Sequence, residues 1–355
     1  MQRKEIYEGV IKSFEDKYSF LGKQVAEEAL LSIASWNIQE FSEPDFRIRR
    51  HLLLFWQPGW MKSSLLKKIH QLIGEDNCTF MSDITNAALR GTVESGKFIS
   101  PFTLKKPFSV CTEFGQVIGG SDTDDIFQKL LNVLEEGIVT VSLSKIAQLS
   151  PIDREEIAKR YPVTFLDNNT FTYETNWILM AGTYNKKFLV DNAFQSRFNI
   201  VHPTKPLDSA LVKHVIRSPP YELDEEVAIN LRYELIENKT IDTTLALPDE
   251  LFDEVPSLSM RESAQLISEV LCRNWWGIKM SKDELIEKAK YVEQQREQIW
   301  LTAEDRVFAS IETEAKNIEE IMEETKLSRR GVFYALKKLR PVRSTTGDNM
   351  VYKIM

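Results

Sequence analysis

Residues 52–64 constrain the fold of this 355-residue chain more than any other segment. They pass from a run of apolar residues through a Pro-Gly turn to Lys62 and Ser63, a pattern that predicts a buried strand, a tight turn and the start of a helix. Such a helix start presents backbone N–H groups and the positive end of the helix dipole to an anion, while Lys62 adds charge and the Ser63 hydroxyl can bind Mg²⁺. The segment therefore predicts a phosphate site, with an ordinary surface lysine as the alternative.

The match to the strict phosphate-loop pattern is partial. The pattern G-x-x-x-x-G-K-[ST] has glycines where this chain has Trp56 and Met61, so that only Gly59 and the Lys-Ser pair remain. The loop residues that we expect to contact a nucleotide are Pro58, Gly59, Trp60, Lys62, Ser63 and Ser64.

Two later apolar segments end in polar residues. The first runs from Phe108 to Glu113, and the second runs from Trp177 through Thr183 to Asn185. Residues 18–205 alternate apolar strands with amphipathic helices, which predicts an α/β core with a parallel sheet.

The chain resembles the MCM-like branch of AAA+ ATPases, the family of archaeal and eukaryotic replicative helicases. The resemblance covers roughly residues 18–275, and the order of several weak motifs carries it. These are Phe20–Ala29, which is similar to the segment before the phosphate loop; Pro58–Lys67, which is similar to Walker A; Ala88–Val93, where the family inserts an extra helix; Gln128–Gly137, similar to the helix before a DNA-contacting hairpin; and Phe194–Phe198, which follows the sensor strand.

The resemblance implies an AAA+ P-loop core that binds ATP and Mg²⁺ between the subunits of a ring, expected to be a hexamer. In it, Lys62 clamps the phosphates, Ser63 is a Mg²⁺ ligand, and Glu113 orients the attacking water. Further roles fall on Thr183 and Asn185 as sensors of the γ-phosphate, on Arg197 as an arginine finger acting on a neighbouring subunit, and on Arg261 as the lid arginine.

One position departs from the family pattern. The family has Asp-Glu at the end of the acid strand, whereas this chain has Thr112 and Glu113, so a negative charge near the metal is missing. We therefore consider two functions: an ATP-hydrolysing DNA motor, and a nucleotide-gated DNA-binding scaffold or partner of a full-length ring. A protein-remodelling AAA+ is a third. The structural alternatives are a turn-capping carboxylate for Glu113 and a salt-bridge arginine for Arg197.

Between the acid strand and the sensor strand, the family has a hairpin that points into the central channel and pulls on DNA. The family's lysine position holds Leu143 here. The channel candidates are Lys145, Arg154, Lys159 and Arg160, with a solvated helix as the alternative.

The C-terminal residues 301–355 predict a separate winged-helix domain, with a helix from Ala315, a second helix from Arg329 to Leu339, and a β-hairpin wing around residues 345–349. Residues 321–355 hold eight Lys or Arg against three acidic residues, in contrast to the whole-chain charge of −8. A DNA contact is predicted here, with a protein-interaction module as the alternative. The candidate DNA-binding residues are Arg329, Arg330, Lys337, Lys338, Arg340 and Arg343.

The remaining organisation follows from composition. We expect a lead-in helix over residues 1–17, the core over 18–205 and a helical lid over 206–300. No apolar run reaches the roughly 18 residues that a membrane span needs, and the charged N-terminal segment is unlike a signal sequence, so a cytoplasmic location is expected. The family's N-terminal oligonucleotide-binding barrel has no counterpart in the sequence, as in a minimal, plasmid-type or virus-type relative.

Overall fold

The computed structural model of the protein is an α/β structure with two compact units, residues 1–286 and 287–355. The sequence prediction had placed this division at residue 300. The described residues are 1–38, 49–81, 89, 91–95, 97–114, 130–134, 137–184, 197–205, 207–222, 224–236, 249–256, 260–290, 307, 310–311, 316–325, 329–339, 342–346 and 349–353.

A five-stranded parallel sheet forms the centre of the first unit. Its strands, in spatial order, are β10 (Phe198–Val201), β1 (His51–Phe55), β9 (Ile178–Thr183), β5 (Phe108–Cys111) and β2 (Cys78–Met81). The predicted parallel α/β core is therefore confirmed at this level. All residues of β9 and β5 are buried, as expected of parallel strands covered on both faces.

Helix α1 (Arg3–Asn37) is longer than the predicted lead-in helix. It is interrupted at Ser19, whose φ of 57° and ψ of −150° are not helical, and the break lies close to the predicted boundary at residue 17. Beyond the break, α1 packs against β1, so it belongs partly to the sheet layer.

Helix α2 (Lys62–Ile73) follows β1 and covers the sheet with Leu65, Leu66 and Ile69, which are fully buried. The 3.6-residue helical period places these three side chains on one face. Strand β1 and helix α2 agree with the predicted strand–turn–helix.

Buried polar groups fix the start of β1. The His51 ring accepts a hydrogen bond at Nδ1 from the Leu179 backbone N–H, so its Nε2 carries the proton and donates to the Leu134 carbonyl. Burial, together with the nearby Arg49 charge, lowers the pKa of His51 to about 3. The neutral imidazole therefore acts as a structural link between β1 and β9.

The neighbouring Arg50 is also buried and ties three elements together. Its guanidinium forms ion pairs of 3.1 Å with Glu28 of α1 and 3.6 Å with Glu269, which lies in helix α7 (Met260–Trp275). Removing one partner from a buried ion pair leaves an uncompensated charge, so this cluster holds α7 against the sheet layer.

Two smaller sheets extend the first unit. Strands β3 (Thr92–Glu94) and β4 (Lys97–Ile99) form an antiparallel pair, so residues 92–93 are extended where the family resemblance implied a helix. Strands β6 (Ile138–Ser142), β7 (Val163–Phe165) and β8 (Thr170–Glu174) form an antiparallel sheet in the order β6-β8-β7, with helix α3 (Pro151–Arg160) between β6 and β7. The three strands lie between β5 and β9 in the sequence, where the family resemblance implies a hairpin.

The described part of residues 206–286 is mainly helical, as predicted for a lid. Its helices are α4 (Ser209–Arg217), α5 (Glu225–Ile236), α6 (Asp249–Glu254) and α7. Within the described residues, no helix is long and apolar enough to cross a membrane.

The second unit has its own small core. Helices α8 (Ile318–Thr325) and α9 (Arg329–Leu339) precede an antiparallel hairpin of β11 (Val342–Thr346) and β12 (Asn349–Lys353). Lys316 forms an isolated β-bridge with Tyr352, so the chain before α8 is extended where a helix from Ala315 was predicted. The second helix and the hairpin lie where the sequence predicted them.

Candidate functional site

The topology brings three chemically distinct segments to one edge of the parallel sheet. In the register, Phe55 lies opposite Thr183, and Cys111 lies opposite Ala181. Glu113, two residues beyond Cys111, is therefore level with Thr183. Because the carboxyl ends of parallel strands share an edge, the loop after β1, the acid after β5 and the polar end of β9 converge there.

The loop after β1 has the backbone shape of a tight anion-binding turn. Gly59 has a φ of 82°, and Met61, immediately before α2, has a φ of 61° in the left-handed region. Glycine adopts that region without a penalty, whereas another residue loses about 1–2 kcal/mol. Met61 occupies the position of the second glycine in the strict pattern and keeps the backbone conformation that a glycine would allow.

Lys62 is held inside this loop. Its Nζ donates hydrogen bonds to the carbonyl oxygens of Trp56 at 2.5 Å and Gln57 at 2.9 Å, and the residue is only 8% exposed. Burial lowers the pKa of Lys62 to about 8, and the nearby Glu113 carboxylate partly opposes that shift. The ammonium therefore bonds to its own loop, close to the candidate acid.

The Trp56 side chain stabilises the loop. Its indole N–H donates to the Trp60 carbonyl at 2.7 Å, and its ring is 5% exposed. Lys62 Nζ lies 5.4 Å from the ring centroid, within the range of a cation–π interaction. The side chain that replaces the first glycine thus packs in the core and fixes the loop.

These segments enclose a cavity of about 280 Å³. It is lined by the loop 58–64, by Thr112 and Glu113, and by residues 182–184 at the end of β9. Every predicted nucleotide-contacting residue of the loop lines it, and so does Thr183. Asn185 lies outside the described residues.

The predicted nucleotide-contacting residues do not include three residues that line this cavity, Met61, Gly182 and Tyr184. A Cβ atom at Gly182 would lie 2.9 Å from Leu66 Cδ1 and 3.7 Å from Lys62 Cβ. The glycine therefore allows α2 to approach β9 closely, directly behind Lys62. The signal was visible as a single glycine within an otherwise apolar strand, a position that often marks close backbone approach.

The donors around the cavity suit Mg²⁺. Ser63 and Thr112 supply hydroxyl oxygens and Glu113 supplies a carboxylate, and Mg²⁺ prefers oxygen ligands while it keeps several waters. No group of three or more His, Cys, Asp or Glu residues is placed to hold a metal within the part of the chain that the structure describes. A metal at this edge would depend on phosphate oxygens for much of its coordination.

Arg197 lies at the opposite end of the sheet. It directly precedes β10, whose first residue, Phe198, is level with His51 at the start of β1. At a rise of about 3.3 Å per residue, Arg197 is roughly 17 Å along the strands from the level of Phe55. An arginine side chain extends less than half of that distance, so Arg197 does not reach the cavity of its own subunit.

Arg261 lies in the first turn of α7, and its side chain is outside the described residues. The α7 helix itself is anchored through Glu269 to Arg50.

The four channel candidates have different surroundings. Arg154 of α3 is half-buried and donates to the carbonyls of Ile146 and Asn168 and to Asn168 Oδ1, so it fastens the helix to two loops. Lys159 is exposed and pairs with Glu155 at 2.8 Å. The remaining two, Lys145 and Arg160, are exposed, and the Arg160 guanidinium lies 5.5 Å from the Tyr161 ring centroid.

In the second unit, Arg329, Arg330 and Lys337 are exposed on α9. Arg329 lies 4.0 Å from Glu319 of α8. The backbones of Lys338 and Arg343 are in α9 and β11, their side chains are outside the described part, and Arg340 is outside it entirely.

The fold and the cavity define an α/β protein with a polar pocket at the carboxyl edge of a parallel sheet, compatible with a P-loop-like core. No protein-family model matches the chain, and no curated protein is significantly similar to it in sequence.

Proposed function

We propose that the protein is an MCM-like AAA+ ATPase that binds ATP and Mg²⁺ and acts on DNA as a ring-shaped oligomer. The observation that carries the proposal is the convergence of Lys62, Glu113 and Thr183 on one cavity behind a loop with phosphate-binding backbone geometry. Attack on a γ-phosphate needs a cation, a carboxylate and a polar group held in such an arrangement.

Each residue has a distinct task in this proposal. Lys62 leaves the carbonyls of Trp56 and Gln57 and transfers its hydrogen bonds to phosphate oxygens. Glu113 orients the attacking water and accepts its proton, while the Thr183 hydroxyl donates to the γ-phosphate. Ser63 and Thr112 would hold a magnesium ion, which neutralises charge on the phosphates when bound.

The position of Arg197 supports an assembly. A guanidinium at the far end of the sheet is unable to stabilise charge in its own cavity but can complete the cavity of a neighbouring copy. We therefore assign Arg197 as the arginine finger and Arg261 as a second arginine that acts across the same interface.

The second unit supports action on DNA. Two helices followed by an antiparallel hairpin, with a bridge from Lys316 to the hairpin, support the proposal of a winged helix. Arg329 and Arg330 begin the second helix, the element that contacts DNA in helix-turn-helix folds. The proposed channel contacts are Lys145, in the short 3₁₀ turn Ser144–Gln148 after β6, and Arg154, Lys159 and Arg160 of α3.

Nucleotide binding and turnover of wild type and Lys62→Ala test the proposal, with Lys67→Ala of the same helix as the matched control. We expect Lys62→Ala to lower ATP affinity by at least tenfold and to abolish turnover, while Lys67→Ala leaves both unchanged. Arg197→Ala should retain ATP binding but inhibit turnover when mixed into wild-type rings. Turnover that survives Lys62→Ala would refute the assignment.

Thr112 favours a second function, a nucleotide-gated DNA-binding scaffold. A threonine hydroxyl is able to bond a metal-bound water but lacks the charge of the family's aspartate. In this case wild type binds ATP without turning it over, and Thr112→Asp gains hydrolysis. DNA-stimulated turnover by wild type would exclude the scaffold.

A further inference from the structure

Helix α9 has a clearly divided surface. Val332, Ala335 and Leu336 are buried and form the core of the second unit with Ile321 and Tyr352. These positions follow the spacing i, i+3, i+4, so they occupy one side of the helix. The other side of α9 carries exposed side chains.

That outer face combines two rings with two cations. Arg330, Phe333, Tyr334 and Lys337 follow the spacing i, i+3, i+4, i+7, directly opposite the buried stripe. Phe333 is 46% exposed and Tyr334 is 60% exposed, while Arg330 and Lys337 are exposed on either side of them. One exposed apolar side chain is ordinary, but two adjacent rings between cations form a chemically specific surface.

The charge of α9 favours a polyanion. The helix contains four Lys or Arg and no acidic residue. Glu319 lies near Arg329, at 4.0 Å, so the argument depends on Arg330 and Lys337 rather than on Arg329. Lysine and arginine on both sides of an aromatic pair match a strand with phosphates on either side of its bases.

We propose that this outer face of α9 binds single-stranded DNA, with Phe333 and Tyr334 stacking on unpaired bases and with Arg330 and Lys337 contacting the adjacent phosphates. The inference rests on the proposed action on DNA and specifies the state of the strand. In a duplex the base faces are covered by their neighbours, and only base edges are exposed in the grooves. Neither a phenylalanine ring nor the face of a tyrosine reads the hydrogen-bonding pattern of those edges.

The test uses the full chain, a fluorescent 30-nucleotide oligo(dT) and a closed 30-base-pair hairpin. Phe333→Leu with Tyr334→Leu removes the rings and keeps apolar side chains. We expect this double variant to bind oligo(dT) at least about 30-fold more weakly, because each lost stacked base costs roughly fivefold or more and two are lost, and to bind the duplex within twofold of wild type. Tyr233→Leu is the matched control, since Tyr233 of α5 is 59% exposed, and it should change neither affinity.

Two further measurements separate stacking from a structural effect. A 2-aminopurine placed in the oligo(dT) should lose fluorescence on binding to wild type and regain it with the ring-less variant, while Phe333→Trp retains the quenching. Arg330→Ala with Lys337→Ala should weaken binding to both DNAs and make the salt slope on oligo(dT) shallower by about 1.4, the value for two lost phosphate contacts.

The outcomes distinguish the two claims. Unchanged oligo(dT) affinity in the ring-less variant, or an equal loss on both DNAs, would overturn the stacking inference while leaving DNA action in place. If wild type binds neither DNA, the DNA half of the proposed function fails together with this inference. A thermal melt of each variant verifies folding. If the double variant is destabilised, the same binding comparison is made with Tyr334→Leu alone.

Discussion

The cavity at the carboxyl edge of the parallel sheet and the β6-β8-β7 sheet with α3 were both predicted from sequence to carry function, and they differ in how the structure treats the predicted residues. In the cavity, residues separated by more than 100 positions in the sequence, such as Lys62 and Thr183, meet. On α3 and the turn before it, the four basic candidates have separate surroundings, and Arg154 already donates hydrogen bonds to Ile146 and Asn168.

The difference teaches where sequence order is informative. Parallel strands direct their carboxyl ends to one edge whatever lies between them, so a polar residue after an apolar strand has a predictable position. A basic residue on an exposed helix has no such constraint, because its position in the sequence does not determine whether its side chain pairs with another group of the same protein. The following predictions test this contrast, beginning with the largest expected effect.

Gly182→Val should damage the cavity most. Its new side chain would overlap Leu66 and press on Lys62, and overpacking of this kind costs roughly 3 kcal/mol in the free energy of unfolding. ATP affinity should fall with it, since α2 carries Lys62, Ser63 and Ser64, the residues proposed to bind the phosphates. Urea denaturation and nucleotide titration measure the two effects.

Gly59→Ala is the control for that variant. A Cβ at Gly59 meets nothing within 4 Å, but the φ of 82° makes it cost about 1 kcal/mol. Equal losses from the two variants would show that close packing behind Lys62 is unimportant.

Arg154→Ala should destabilise the antiparallel region by about 2 kcal/mol, because it removes hydrogen bonds from a charged donor to two loops. Chemical denaturation measures this loss. Under conditions in which the variant remains folded, ATP binding should be unaffected, in contrast to Gly182→Val. A stability-neutral Arg154→Ala that instead weakens DNA binding would return this residue to the channel candidates.

The pH dependence of the cavity follows from Lys62. Burial lowers the pKa of Lys62 from 10.5 to about 8 in the folded protein. Between these two pH values the unfolded chain keeps a proton that the folded protein has released, so the free energy of unfolding rises with pH. In the proposed function ATP binds only the charged form of Lys62, so ATP affinity should fall roughly tenfold per pH unit above 8. Calorimetry should detect proton uptake on binding, and Lys62→Arg should remove this dependence. A flat wild-type profile would contradict the buried ammonium.

Lys159→Ala should have the smallest effect. Its ion pair with Glu155 is exposed on both sides, so stability should change within about 0.5 kcal/mol. If Lys159 contacts DNA, the salt slope of binding becomes shallower by roughly 0.7–0.9. An unchanged slope would remove Lys159 from the proposed interface.

Much of the sheet could be predicted because hydrophobic runs and strand-end residues are local signals. The strand at Phe108–Cys111, the strand ending at Thr183 and helix α9 all lie where the sequence indicated. The continuation of α1 beyond Ser19 and the bridge between Lys316 and Tyr352 differ from the predictions, because both involve contacts with residues distant in the sequence.

The site was less predictable than the sheet, for a related reason. Residue types indicated that Lys62 and Glu113 belong to one cavity, but the folding back of Lys62 onto the Trp56 carbonyl depends on a buried indole whose own partner is Trp60. The sequence shows Trp56 only as the residue in place of the first glycine of the strict pattern. In the structure it supports the loop, because its ring packs in the core.

The left-handed Met61 has a consequence for how such loops are found and altered. A sequence motif tests for a small side chain, whereas the backbone conformation determines where the amide groups of a loop point. Met61 has the left-handed conformation that a glycine would adopt, although it is not a glycine. Loops of this kind are therefore better compared by their backbone dihedral angles than by their residue identities. A Met61→Gly variant should therefore relieve backbone strain at this position and make the loop more adaptable to different ligands.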